Sequence, residues 1–260
     1  MTRQGYNFLF LIGASGSGTT MLTRILTAAQ GSVGLGGNHI SIPKSDRQAY
    51  DIARRFKRAN DRLWDRKASA AESSAGGDEM LSLVGKLRTL PGYQETERVV
   101  FKRSAPFHRG DRYRPDLADL GRLFSEPRVV VLYRDPRAST ASSHRRRFAA
   151  NLRACAVITD EQLTYLSAQL ATLDRDRWLL VPYEGFCAAP GDWSEPLADF
   201  CGLPPAVVAE AITAERVDSA KSGAWRRRLS SEELAFLDAY FDHRRLAQWP
   251  LLSGMEAMQP

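Results

Sequence analysis

Apolar residues fall into two kinds of run along the chain. Residues 8–12 (Phe-Leu-Phe-Leu-Ile), 98–102 (Arg-Val-Val-Phe-Lys), 128–133 (Arg-Val-Val-Val-Leu-Tyr) and 177–182 (Arg-Trp-Leu-Leu-Val-Pro) are short and nearly unbroken. Runs of this length, rich in β-branched and aromatic side chains, read as strands buried on both faces. Elsewhere apolar residues return every three or four positions, as on one face of a helix. Met21, Leu22, Ile25 and Leu26 predict a helix over 20–29, ended near Gly31. Ile52, Phe56, Ala59 and Leu63 predict one over 46–70, and Leu117, Leu120, Leu123 and Phe124 one after Pro115. Leu163, Leu166, Leu170 and Leu173 mark the most regular helix, over 161–174. Further helices are expected at 80–90, 137–153, 193–201, 205–214 and 231–241. Residues 31–45 hold Gly34, Gly36, Gly37 and Pro43 and read as irregular, and 71–78 (Ala-Glu-Ser-Ser-Ala-Gly-Gly-Asp) as a flexible break. Buried strands alternating with helices predict an α/β fold, a parallel sheet flanked by helices on both faces.

At 260 residues and 43% hydrophobic content the chain can bury one large core, so 1–260 is read as a single domain with a helical lid or insert at 46–95. A net charge of +6 fits an anionic ligand. Charge alone would admit nucleic acid, but no helix-turn-helix, zinc or RNP signature accompanies it, and nucleic acid is not expected as a partner. Arg54, Arg55, Lys57, Arg58 and Arg62 read as the solvated face of their helix. Cys155, Cys187 and Cys201 lack pair spacing, so neither a disulfide framework nor a zinc site is indicated. They fit a reduced cytoplasm. The apolar run after the first few residues is too short for a signal sequence, and no run reaches membrane-spanning length. The expected location is therefore cytoplasmic.

Two stretches carry chemistry. The first strand runs into Gly13-Ala14-Ser15-Gly16-Ser17-Gly18-Thr19-Thr20 and then a helix. Strand, glycine loop and helix N-terminus aim several backbone N–H groups at one point, which makes an anion site. The spacing Gly13-x-x-x-x-Gly18-Thr19-Thr20 is that of a Walker A loop with Thr19 in place of the lysine. That lysine reaches the terminal phosphates of ATP, so its absence argues against ordinary nucleoside triphosphate hydrolysis. In the second stretch, Arg134 closes a strand, Pro136 can open the next helix and Ser142 follows Arg134 by eight residues. A guanidinium and a hydroxyl placed there could converge on a second phosphate at the carboxyl end of the sheet. A turn with a surface arginine would leave the same residues.

Together the two stretches resemble the PAPS-dependent sulfotransferase superfamily, PAPS being 3′-phosphoadenosine 5′-phosphosulfate. The first is similar to its 5′-phosphosulfate loop and the second to its 3′-phosphate motif. The likeness is greatest to tyrosylprotein-sulfotransferase-like enzymes and their bacterial relatives. Val100-Phe101-Lys102-Arg103-Ser104-Ala105-Pro106 is similar to their strand that ends in a lysine and then a proline. Val181-Pro182-Tyr183-Glu184 is similar to their tyrosine-glutamate strand end, and Lys221-Ser222-Gly223-Ala224-Trp225 to the late segment that closes over the nucleotide.

The resemblance implies a P-loop NTPase-like fold and transfer of the sulfuryl group of PAPS to an acceptor hydroxyl. No metal is expected, since no metal-ligand cluster appears, and the expected cytoplasmic location points to a small molecule, sugar or lipid as acceptor rather than a secreted protein. It implies that Ser15, Gly16, Ser17, Gly18, Thr19 and Thr20 bind the 5′-phosphosulfate and that Arg134 and Ser142 bind the 3′-phosphate. Tyr183, Lys221, Ser222, Gly223 and Trp225 would complete the nucleotide site, and 46–95 would lie on the acceptor side. Many sulfotransferases carry a basic residue where this chain has Gly16. Lys102 is the expected substitute, with Arg24 a second candidate. The related enzymes place their base after a Gly-Gly-like turn, where this chain has Gly36-Gly37-Asn38-His39. His39, whose ordinary pKa near 6.5 suits proton removal at neutral pH, is the expected base, with His108 and His144 behind it. Two other classes stay open: a P-loop kinase with a degenerate loop, and a nucleotide binder without catalysis. The kinase would need magnesium ligands, and the strands end in Lys102, Arg134 and Pro182 rather than in an acid.

Overall fold

The structure, a computed structural model, describes residues 7–36, 39–63, 65, 69–104, 116–124, 127–217 and 219–249. Gly37, Asn38, Ala105, Pro106, His108 and Pro115, and the side chains of His39 and Lys221, lie outside the described residues. Six strands are described: β1 (Asn7–Gly13), β2 (Ser32–Gly36), β3 (His39–Ile40), β4 (Arg98–Ser104), β5 (Arg128–Tyr133) and β6 (Trp178–Pro182). They form one sheet in the order β3-β2-β4-β1-β5-β6. The pairs β2–β4, β4–β1, β1–β5 and β5–β6 are parallel, and β3 runs antiparallel at the edge.

The described helices are α1 (Thr19–Thr27), α2 (Arg47–Leu63), α3 (Ala70–Arg88), α4 (Leu117–Leu123), α5 (Pro136–Arg145) and α6 (Leu152–Leu170), then α7 (Tyr183–Ala188), α8 (Ser194–Cys201), α9 (Pro205–Ala214), α10 (Ala220–Gly223), α11 (Ser231–Tyr240) and α12 (His243–Leu246). The parallel sheet flanked by helices on both faces is the expected fold. The β1 run is apolar at every position because its pleat feeds two cores. Phe8, Phe10 and Ile12 join the core under α2, α3, α4 and α6, while Leu9 and Leu11 join the core under α1, α7, α8 and α9. The same alternation in β4 puts Phe101 in the first core and Val100 in the second. Lys102 therefore belongs to the α1 face. Among the described residues no helix is long and apolar enough to cross a membrane.

Three expectations need correction. Residues 31–45 are not wholly irregular, for they contain β2 and β3. Ser-Val-Gly-Leu-Gly has little intrinsic strand preference, and its pairing with β4 (Ser32 to Arg98, Val33 to Val99, Gly34 to Val100) supplies what propensity does not. Residues 71–78 are not a break but the first half of α3. Ser69 and Glu72 form a reciprocal capping box at its start, and a Cβ on Gly76 would stand 3.0 Å from the Ala59 carbonyl oxygen of α2. Gly76 is a close-approach point between two helices, not a stop signal. Finally, 137–153 is not one helix. The Arg147 N–H bonds the His144 carbonyl and the Phe148 N–H the Ser143 carbonyl, the Schellman pattern, with Arg147 at φ 57 where glycine is favoured. Helix α6 then restarts behind Asn151, whose side chain accepts from the Ala154 N–H.

Candidate functional site

The glycine loop leaves the centre of the sheet, because β1 lies between β4 and β5. Three of its glycines are required by contact. A Cβ on Gly13 would come within 2.5 Å of the Leu132 carbonyl oxygen. Gly16 (φ 89) lies against Ser142, whose Cβ would be 2.9 Å from a Gly16 Cβ, and Gly18 (φ 97) lies under the Tyr183 ring at 2.7 Å. Only glycine holds these positive φ values while letting the neighbours approach so closely. The Ser17 N–H bonds the Ala14 carbonyl and the Ser15 N–H bonds Gln162. The N–H groups of Gly16, Gly18, Thr19 and Thr20 have no acceptor among the described residues. Four free donors at the head of α1 form an anion nest.

The neighbouring strands deliver the cations. Lys102 stands opposite Leu11 in the β1–β4 register, and its Nζ donates to Thr20 Oγ1 at 2.6 Å in the first turn of α1. Burial, with Arg146 and Arg24 nearby, pulls its pKa from the ordinary lysine range down to about 8. Arg134 follows the end of β5. Its Nη1 donates to the Gly16 carbonyl at 2.9 Å, and its guanidinium carbon lies 4.4 Å from the centre of the Tyr183 ring. Asp135 caps α5 by accepting from the Arg137 N–H, with Pro136 at the first helical position, and so aims Ser142, in the second turn of the helix, at Gly16. Burial pushes the Tyr183 phenol up to about 12 and also raises the Glu184 carboxyl. Arg24 forks onto Glu215 and is committed there.

Gly16, Gly18, Arg134, Ser142, Tyr183 and Trp225 line one cavity of about 520 Å³. Sequence reasoning placed all six in one site. It named His144 only as a second candidate base and did not place Arg145, Arg146 or Arg228 in the site, yet all four also line this cavity. The lining thus carries four arginines and no carboxylate. Desolvation, with the neighbouring Arg145 and Arg134 charges, lowers the Arg146 pKa, as expected where cations crowd. Glu184, whose Oε1 lies 3.8 Å from Arg134 Nε, stands outside the lining. Ser17 Oγ, Arg134 Nε and His144 Nδ1 are buried with no hydrogen-bond partner among the described residues.

Other expected residues lie around the cavity rather than in its wall. Ser15, Ser17 and Thr19 are buried under the loop. Ser222 and Gly223 belong to the short α10, where Ser222 Oγ donates to the Ser219 carbonyl. The His39 backbone is in β3, paired with Gly36. Gln162 and Ser143 also went unread, although both touch the loop. A polar residue on the buried stripe of α6, beside Leu163 and Leu166, was the available signal for Gln162.

Solved structures share this fold. The sulfotransferase domain of the Synechococcus PCC 7002 olefin synthase is 17% identical, with alignment over 93% of this chain and 98% of its own and a TM-score of 0.55. The sulfotransferase domain from the curacin biosynthetic pathway is 16% identical over 90% of this chain and 96% of its own, with a TM-score of 0.52. Mouse sulfotransferase SULT7A1, solved in complex with PAP, is 8% identical over 96% and 87%, with a TM-score of 0.55. At such identities the likeness is one of fold. No curated protein sequence matches the chain. The profile of the Sulfotransferase family matches residues 9–206, from β1 into α9 and so through the loop, Lys102, Arg134, Ser142 and Tyr183. With most of its length matched, the chain belongs to the sulfotransferase family.

Proposed function

We propose that the cleft binds PAPS and that the enzyme passes its sulfuryl group to a hydroxyl of a small molecule, sugar or lipid. One observation carries this reading: the glycine loop and the Arg134–Ser142 pair meet at Gly16, on the wall of a single cavity. An anion nest and a guanidinium grip so joined suit one ligand with a negative group at each end. The donor set fits such a ligand. The orphaned donors Ser17 Oγ and Arg134 Nε want acceptors, and the positive φ of Gly16 and Gly18 leaves backbone where side chains would stand.

When bound, PAPS supplies a sulfuryl group already activated by its phosphate leaving group. In this reading the N–H groups of Gly16, Gly18, Thr19 and Thr20 hold its 5′ end. Arg134 and Ser142 hold the 3′-phosphate, and Arg145, Arg146 and Arg228 add positive charge around it. Trp225, buried on the cavity wall, offers the adenine an apolar face. Lys102, fixed through Thr20, keeps a positive charge at the head of α1, where charge develops on the bridging oxygen. In this reading Lys102 stands in for the basic residue missing at Gly16. His39 takes the acceptor proton, with His144 the second candidate. Residues 46–95, which contain the packed pair α2 and α3, cover the acceptor side. Three free, buried cysteines agree with a reducing cytoplasm.

PAP, the desulfated product, tests the site directly. It is expected to raise the melting temperature without magnesium, since a ligand at about a hundredfold its Kd adds about 2.7 kcal/mol. ATP is expected to do little. Equal stabilisation by ATP with magnesium would favour the kinase, which the family assignment disfavours. Replacement of His39 with alanine is expected to stop turnover and spare PAP binding, because a base acts on the acceptor. Acceptors can be screened by release of PAP.

A further inference from the structure

Ser15 opens the glycine loop, yet every polar group it has is engaged inside the protein. Its N–H donates to Gln162 Oε1 at 2.7 Å, its Oγ accepts from Gln162 Nε2 at 3.1 Å, and its carbonyl accepts from Ser143 Oγ at 3.1 Å. These partners stand 147 and 128 residues away in the chain. Gln162 is fully buried, in α6 beside Leu163 and Leu166, on a stripe where an apolar side chain would carry no polar cost. The α5–α6 pair has a buried hydrogen bond of its own, Thr140 Oγ1 donating to Thr159 Oγ1 at 3.1 Å.

We propose that Gln162, with Ser143 as its second arm, is a positioning residue that holds the phosphosulfate loop in its binding shape before any ligand arrives. Gln162 draws the Ser15 N–H back into the protein, and Ser143 fixes the carbonyl on the next peptide plane. The two planes at the start of the loop are then set. With Ser17 N–H tied to Ala14, the donors of Gly16, Gly18, Thr19 and Thr20 stay turned toward one point. A loop without this hold would have to be ordered at the cost of binding energy. The inference rests on the reading that the loop receives the sulfated end of the nucleotide, although the loop's order can be measured without one.

The test compares wild type, Gln162→Met, Ser143→Ala and Thr140→Val. The last removes a buried hydrogen bond from the same helix pair without touching the loop. PAP affinity by calorimetry is expected to fall about tenfold in Gln162→Met and about threefold in Ser143→Ala, and to stay within about twofold in Thr140→Val, although all three lower the melting temperature. Backbone order of Gly16 and Gly18, read by amide relaxation on ligand-free protein, is expected to drop in Gln162→Met and not in Thr140→Val. Unchanged affinity and order in Gln162→Met would overturn the inference, and so would an equal loss in Thr140→Val. Should Gln162→Met not fold, unchanged loop order in Ser143→Ala overturns it as well. A wild type that does not bind PAP would count against the functional reading, while the relaxation data would still decide the inference.

Discussion

The sheet carries a cavity at each end, and the larger one lies at the end opposite the candidate site. At the carboxyl ends of β1 and β5, about 520 Å³ is lined by Arg134, Arg145, Arg146 and Arg228. At the amino ends of β2 and β4, about 630 Å³ lies between Thr27, Ser32, Tyr93 and Glu95. The second space has Ser32 Oγ unpartnered in its wall, but its one charged side chain is an acid already bonded to Gln30. The difference follows from the direction of the parallel strands. They all point their carboxyl ends one way, so helix N-termini with unpaired N–H groups gather there, and helix C-termini such as the end of α1 gather at the other end. An anion site needs that polarity and not merely volume.

The largest expected effect of this contrast is in Arg134→Ala, which should weaken PAP binding by about a hundredfold or more, since it removes a buried charge-assisted grip. Glu95→Gln, in the other cavity, should leave the Kd within about twofold. A comparable loss in both variants, by calorimetry, would break the comparison. Two glycines at similar φ sharpen it. Gly18→Ala adds a Cβ 2.7 Å from the Tyr183 ring to its backbone strain, whereas Gly92→Ala, at φ 84 on the other cavity, meets nothing within 4 Å. Gly18→Ala should weaken PAP binding by about tenfold and cost about 2–3 kcal/mol in a denaturant titration, and Gly92→Ala about 1 kcal/mol with binding intact.

The smallest expected effect is in Lys102→Met, and its sign is opposite. The Lys102 pKa, about 8 in the folded protein, lies below its unfolded value. The unfolded chain therefore binds more protons between pH 8 and the ordinary lysine range, and stability of the ligand-free protein should rise across that window. At neutral pH the buried ammonium is a cost. Lys102→Met should accordingly raise the melting temperature of the ligand-free protein by about 2–4 °C at pH 7 while turnover falls. Wild-type PAP affinity should decline as pH passes about 8, and the variant's should not.

The strands β1, β4, β5 and β6, the helices α1 and α4 and the two separate motifs, the glycine loop and the Arg134–Ser142 spacing, were legible because each rests on local order. That the two motifs meet at Gly16 is a contact across 118 positions, which the family resemblance and not a local pattern suggested. An apolar run, a period near 3.6 or a loop spacing can be read within a dozen residues. By contrast, β2 depends on a partner more than sixty positions away, as its Ser32–Arg98 pairing shows. Gly76 reads as a break until the backbone of α2 lies against it.

By itself, the sequence determined which segments are buried on two faces, where an anion nest must form and which arginine and serine stand ready for a second anion. Tertiary structure alone decided that Lys102 reaches Thr20, that His144, Arg145, Arg146 and Arg228 share the cavity, and that Gln162 holds Ser15. Those contacts join residues far apart in the chain, and no local pattern encodes which face of one helix will meet which loop of another.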